Sequence, residues 1–262
     1  MFRDQRVLVT GASSGIGREL ARRFAGDGAK LILVARRRDR LEALANELAA
    51  SMAMPPIVDD LSDPSACERI VGEIRERGEL VDILVNNAGV GEYGEFIDQN
   101  IDELESMMRL NMVSLTRLTH LVLPGIVARG GGRIVNIAST AAYQPTPFMA
   151  AYGGTKSYVQ SFSLALWYEL RKKGIKVTCI CPGPVRTEFF DRGGLERQKA
   201  EFQRTAMSAE VVAEKAYRAI VRGRCNYVPG VLNKIGAVLQ RFAPLRFVTR
   251  MTGKLLRPVQ GA

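Results

Sequence analysis

Short, nearly continuous apolar runs alternate along the chain with longer stretches in which apolar residues recur every three or four positions. The runs lie at 6–10, 30–35, 56–58, 82–86, 133–137, 176–181 and 226–228, and their β-branched content predicts strands covered on both faces. The stretches between them, 15–28, 39–51, 64–77, 102–128, 150–173 and 208–222, carry the period of amphipathic helices. Helix ends are marked: Asp63-Pro64 opens one, while Gly28, Gly78 and Gly174 close others. Steady strand–helix alternation requires right-handed crossovers between parallel strands. The expectation is an α/β fold with a doubly wound, parallel, seven-stranded sheet and helices on both faces, three layers in all.

No repeat or linker interrupts residues 1–230, so one domain accounts for that span, including a substrate loop at 182–207. The net charge is +10, yet 215–262 hold ten Lys or Arg and no Asp or Glu, and the rest of the chain is balanced. The excess belongs to a tail rather than to a nucleic-acid-binding domain. Residues 231–262 therefore read as a basic amphipathic C-terminal extension: Leu232, Ile235, Leu239 and Phe242 recur at helical spacing, Pro244 interrupts, and Val248, Met251 and Leu255 resume. No run of about eighteen uncharged apolar residues is present to span a bilayer. Peripheral contact with an anionic membrane, a cover over a substrate entrance, and an arm packed on the domain all stay open.

Cys67, Cys179, Cys181 and Cys225 lack the usual metal spacings, so no metal is expected, and they read as reduced core residues. With charged residues instead of an apolar leader after Met1, a cytoplasmic location is expected, with membrane-peripheral contact through the tail.

Candidate chemistry begins after the first strand, at Thr10-Gly11-Ala12-Ser13-Ser14-Gly15-Ile16-Gly17. Glycines there permit a tight turn and close approach of a pyrophosphate, and the helix that follows offers free N–H groups and a positive dipole end. Gly11, Ser13, Ser14, Gly15, Ile16 and Gly17 are candidate binders of a dinucleotide in a Rossmann-type fold. The same residues match Gly-x-Ser-x-Gly, a hydrolase nucleophile pattern, but that chemistry needs a histidine base and the one histidine, His120, sits inside a helical stretch.

The second strand ends in Arg36-Arg37-Arg38, where a carboxylate would accept from a ribose hydroxyl. Guanidinium groups suit a 2′-phosphate instead, which predicts NADP(H) over NAD(H), with Arg36 as main discriminator and Arg37 as helper. Farther along, Tyr152 and Lys156 stand four apart at the start of a helix and share one face. A fixed ammonium favours the phenolate and would bring a phenol towards its working range. Ser139 follows the fifth strand at the sheet edge where such folds bind ligands.

Taken with Asn86-Asn87-Ala88-Gly89, Asn111 and Pro182-Gly183-Pro184-Val185-Arg186-Thr187, these motifs make residues 5–230 resemble the short-chain dehydrogenase/reductase family in its form of about 250 residues. The resemblance implies an NADP(H)-dependent enzyme acting on CH–OH or C=O groups, with Tyr152 as general acid and base. It further implies Lys156 on the nicotinamide ribose, Ser139 on the substrate oxygen, and Asn111 holding a water near the lysine. Asp60 would bond the adenine amino group, Asn87 support the strands around the cofactor, and Val185 and Thr187 contact the carboxamide, with Leu61, Ala88, Gly89, Pro182 and Gly183 as further cofactor-binding residues. One departure is Ser14, where many NADP-preferring members carry a basic residue.

The expected pocket walls are 91–96, 140–149 and 188–205, bearing Tyr93, Phe96, Tyr143, Phe148, Phe189 and Phe190, which favour a small apolar or aromatic carbonyl or alcohol. Family likeness implies a homodimer or homotetramer on the helices at 102–128 and 150–173. A non-enzymatic NADP(H)-binding sensor or scaffold is the alternative, disfavoured because Tyr152 and Lys156 are both present.

Overall fold

The computed structural model describes residues 1–191 and 206–257. Its strands are β1 (Arg6–Thr10), β2 (Lys30–Ala35), β3 (Ile57–Val58), β4 (Ile83–Asn86), β5 (Gly132–Ile137), β6 (Ile175–Ile180), β7 (Val185–Arg186), β8 (Met207–Ser208) and β9 (Asn226–Tyr227). Seven of them form one parallel sheet in the order β3-β2-β1-β4-β5-β6-β9. The helices are α1 (Gly15–Gly26), α2 (Arg38–Glu47), α3 (Ala66–Glu76), α4 (Ile101–Met108), α5 (Leu115–Ala128), α6 (Ala150–Leu170), α7 (Ala209–Val221), α8 (Val231–Leu239) and α9 (Leu245–Leu256).

Alternate residues of each central strand feed opposite layers. Val7, Val9, Leu31, Leu33, Ile83 and Val85 pack with Leu20 and Phe24 of α1, Leu41 of α2 and Ile220 of α7. Leu8, Ile32, Leu84 and Ile134 pack on the other side with Ile70 of α3, Leu118, Val122 and Ile126 of α5, and Leu170 of α6. Burial on both faces is why these strands read as unbroken apolar runs. The chain winds outward from β1 in one direction and from β4 in the other, so a crevice opens where the carboxyl ends of β1 and β4 diverge.

A buried polar ladder joins the sheet to two helices. Asn86 of β4 donates from Nδ2 to Thr119 Oγ1 on α5 and to Asn136 Oδ1 on β5, both at 2.9 Å. Asn136 Nδ2 donates in turn to Ser163 Oγ on α6 at 2.9 Å, and Ser163 donates to Val159 O. These groups are almost wholly removed from water, so each is costly without its partner.

Several boundaries differ from the sequence reading. The helix expected at 102–128 is split by a π turn, Arg109–Ser114, between α4 and α5. One residue too many for an α turn is absorbed there, and the 3.6-residue period does not reveal it. By length and composition alone this helix could cross a membrane, but its apolar stripe is packed in the core. The β7–β8 pair was not foreseen, since two-residue strands carry no period. Residues 192–205 of the expected substrate loop and 258–262 of the extension lie outside the described residues. Cys179 and Cys181 are buried free thiols with their sulfurs 3.6 Å apart.

Replacing Asn136 by Ala would leave the Asn86 amide and the Ser163 hydroxyl short of partners in the core. A loss of about 3 kcal/mol in unfolding free energy is expected. Urea denaturation checks it, and a change under about 0.5 kcal/mol would show the ladder to be dispensable.

Candidate active site

The glycine turn is stitched to the end of β4. Thr10 Oγ1 accepts from Asn87 N at 3.0 Å and Ala88 N at 3.1 Å, while Asn87 Nδ2 donates to Thr10 O at 3.0 Å and Gly11 O at 3.2 Å. Gly11 has φ +64° and its missing Cβ would lie 2.9 Å from Ala88 Cα; a Cβ on Gly17 would lie 2.4 Å from Asn87 Nδ2. Both glycines are thus required by backbone closeness. Ser14 precedes α1 without capping it, and the first turn carries no acidic residue, so the leading N–H groups and dipole of α1 remain available to an anion.

Gly11, Ser14, Asn87 and Ala88 line one cleft of about 440 Å³ that runs from Arg36 and Arg37 to Tyr152. At the arginine end, Arg37 donates to Ser14 Oγ at 2.7 Å and to Ser13 Oγ at 3.4 Å. Its guanidinium also pairs with Glu188, which is shared with Arg40. Those two cations hold the Glu188 carboxyl below its ordinary range. Arg36 instead pairs with Asp60 at 3.2 Å. Burial pushes the Asp60 carboxyl up, but bonds from Ser62 N and Oγ and the nearby Arg36 outweigh it and leave the group acidic. Both arginines border the cleft, and Arg37 is the one joined to the glycine turn.

At the other end, Ser139 continues β5 in extended conformation and its Oγ accepts from Ala141 N at 3.1 Å. Helix α6 starts after Thr146-Pro147-Phe148, with Thr146 Oγ1 donating to Met149 O; a Cβ on Gly153 would meet Thr146 Oγ1 at 1.9 Å, so the helix start is built around a glycine. This entry sets Tyr152 in the first turn, with its hydroxyl on the side of Ser139. Lys156, one turn on, donates from Nζ to Ile137 O at 3.1 Å and lies 5.7 Å from the Tyr152 ring centre.

Tyr152 and Lys156 are 7% and 6% exposed, and burial governs both. It pushes the phenol up to about 12, against the Ser139 bond, and the ammonium down to about 8. Desolvation thus opposes the acidification of the phenol expected from the lysine and favours its neutral form.

Asn111 sits in the π turn, 1% exposed, and does not line the cleft. Its Nδ2 donates to Val90 O at 2.9 Å and Thr155 Oγ1 at 3.1 Å, and its Oδ1 accepts from Val90 N at 3.1 Å. A Cβ on Gly89 would stand 3.1 Å from Asn111 Oδ1 and 3.3 Å from Lys156 Nζ, so the glycine leaves the space between them free.

Apart from Gly17 and Asn111, every predicted site residue lines the cleft, including Leu61, Pro182, Gly183, Val185 and Thr187. The aromatic walls are largely corrected. Phe189 lines the cleft with its ring 5.4 Å from that of Tyr152, whereas Phe96 is 66% exposed and Tyr143 is packed near Cys179 and Cys181, bonded to Asn226. Tyr93 and Phe148 pack behind the wall, and the Phe190 side chain lies outside what is described. Glu188, from the expected 188–205 wall, also lines the cleft, and so do Thr252, Leu255 and Leu256 of the extension. Tyr93 Oη fixes that helix by donating to Leu256 O at 2.6 Å. His120 is exposed on α5 and absent from the cleft, which leaves Ser13 without a base and removes the hydrolase reading.

The family model described as short chain dehydrogenase matches residues 5–197. Sulfoacetaldehyde reductase 2 of Chromohalobacter salexigens is 38% identical, over 79% of this chain and 85% of the relative. Among solved structures, a short-chain dehydrogenase from Sphingobium yanoikuyae in complex with NADPH superposes with a TM-score of 0.80 at 34% identity, covering 98% of both chains. The bulky-bulky ketone specific alcohol dehydrogenase from Comamonas testosteroni gives 0.76 at 30% identity, covering 98% of this chain and 97% of that one. With the Tyr152–Lys156–Ser139 cluster in the crevice of a doubly wound sheet, these matches establish that the chain belongs to the short-chain dehydrogenase/reductase family of oxidoreductases.

Proposed function

We propose that this chain interconverts an uncharged, apolar ketone or aldehyde and its alcohol with NADP(H) as cofactor. The observation that carries the reading is the placement of Ser139 beside the buried Tyr152 at the apolar end of the cleft, together with Met149, Phe189, Leu255 and Leu256. Among the described lining residues at that end, Lys156 is the one cation, and it is engaged with Ile137 O. Among those described residues a sulfonate or carboxylate on the substrate would find no free cation. The name of the Comamonas relative, a ketone-specific enzyme, agrees with this.

The residues present suit a dinucleotide: the uncapped α1 start for the pyrophosphate, Arg37 for a 2′-phosphate with Arg36 beside it, and Lys156 for ribose hydroxyls. When bound, the nicotinamide supplies the hydride chemistry at the substrate carbon. The protein's part is positional and protic. Ser139 and Tyr152 hold the carbonyl oxygen between two hydroxyls, and the neutral phenol gives its proton to that oxygen as charge develops. The Lys156 ammonium, one helical turn away, stabilises the phenolate left behind and shares in its reprotonation. In the oxidative direction the same groups take the alcohol proton.

Tyr152→Phe should lose about 10²–10⁴-fold in kcat while NADPH binding, followed by fluorescence, persists; a variant that keeps full turnover would remove the phenol from the mechanism.

Arg37→Ala should raise the KM for NADPH about tenfold or more and leave that for NADH unchanged, since a charge-assisted bond contributes about 1.5–3 kcal/mol. Equal effects on both cofactors would instead mean that Arg37 serves the fold.

Because Lys156 is cationic below about 8 and neutral above it, kcat/KM for reduction should fall as the pH rises through about 8, while the phenol stays protonated up to about 12. Lys156→Arg should move that descending limb to higher pH, and a wild-type profile without the limb would refute the role given to the ammonium.

A further inference from the structure

Residues 231–257 leave much apolar surface uncovered. On α8, Leu232, Ile235 and Leu239 form a stripe that is 84%, 49% and 60% exposed, and Phe242 beyond it is 82% exposed. Three of the four stripes of residues four apart on α9 differ in character. Val248, Thr252 and Leu256 are buried against the domain; Phe247, Met251 and Leu255, one position earlier, are exposed and apolar; Arg246, Arg250 and Lys254, one earlier again, are exposed and basic. Successive stripes are therefore about 100° apart around the helix. The outward half of α9 is apolar beside the domain and cationic beyond it.

The charge selects the occupant of this surface. Residues 231–257 contain Lys234, Arg241, Arg246, Arg250, Lys254 and Arg257 and no Asp or Glu. A second copy of the same face, related by a two-fold axis, would set like charges opposite one another. An anionic bilayer satisfies both halves at once, because apolar side chains enter the acyl boundary and basic ones remain among the headgroups. Monomeric soluble surfaces rarely leave so many large apolar side chains together without such a use.

The same helix borders the substrate end of the cleft. Leu255 belongs to the exposed apolar stripe and also lines the cleft, together with Thr252 and Leu256.

We propose that α8 and α9 form a docking surface for an anionic lipid bilayer, with Leu239, Phe242, Phe247 and Met251 inserted and the Arg246–Arg250–Lys254 stripe at the headgroups. Docked in this way, the cleft mouth at Leu255 opens towards the bilayer, where an apolar carbonyl compound is concentrated. That last step rests on the substrate class proposed above; the docking does not.

The test is co-sedimentation of the full chain with phosphatidylcholine vesicles, with and without phosphatidylglycerol, at low and high salt. Binding is expected only with phosphatidylglycerol and is expected to weaken as salt rises. Phe242→Asp combined with Met251→Asp should reduce it about tenfold or more, with the far-ultraviolet circular dichroism unchanged. Should that variant misfold, Arg250→Glu with Lys254→Glu, at exposed positions, should abolish the preference for anionic vesicles. No binding of the wild type at low salt, or equal binding by the variants, overturns the proposal. So does light scattering in which the wild type is an oligomer that Phe242→Asp dissociates, since the face would then belong to a second copy.

Discussion

Two neighbouring residues of β5 fasten the active helix to the sheet. Asn136, with no exposure, gives its amide to Ser163 on α6, and the carbonyl of Ile137 receives the ammonium of Lys156 from the same helix. These attachments lie seven residues apart on α6, two turns, and so fix both its rotation and its height above the strand. Ser139 follows on β5 two residues later, and its meeting with Tyr152 is a consequence of that registration. A satisfied polar network in a core permits one arrangement, because any slip would strand several donors at once.

Enclosure then determines the chemistry. The same loss of water that makes the attachments specific raises the phenol and lowers the ammonium, shifting each towards its uncharged form. A neutral phenol is the species suited to the proton delivery proposed above, with the lysine one helical turn away. Asn111 contributes from a distance. By joining Val90 on the exit from β4 to Thr155 on α6, it braces the loop and helix that flank Gly89.

Much of this was legible beforehand, for identifiable reasons. Strands covered on both faces leave unbroken apolar runs, so Val7–Val9 and Leu31–Val34 could be located without coordinates, and the alternation of strand and helix yielded the winding. Glycines with forced backbone closeness, such as Gly11 and Gly17, and the four-residue interval from Tyr152 to Lys156 are local facts that sequence carries directly. What escaped is non-local. The interval shows that an ammonium is near a phenol but not that both are dry, so the direction of the Tyr152 shift was misread. Nothing in Arg36-Arg37 tells which side chain turns to Ser14 and which to Asp60. Glu188 is one acid in a loop until the fold carries it to Arg37. The π turn at Asn111 leaves no trace in a period of 3.6, and Leu255 was visible as an apolar helical position without any sign of what it would border.

The shared carboxylate of Glu188 has an effect on how the two ends of the cleft communicate. It holds Arg37 and Arg40 beside the glycine turn, while its neighbour Phe189 leans on the Tyr152 ring. An anion that displaced Glu188 from Arg37 would act on the residue next to Phe189 in the chain. Any coupling that followed between ligand affinity at one end and wall position at the other would have equal magnitude in both directions, a reciprocity fixed by thermodynamics.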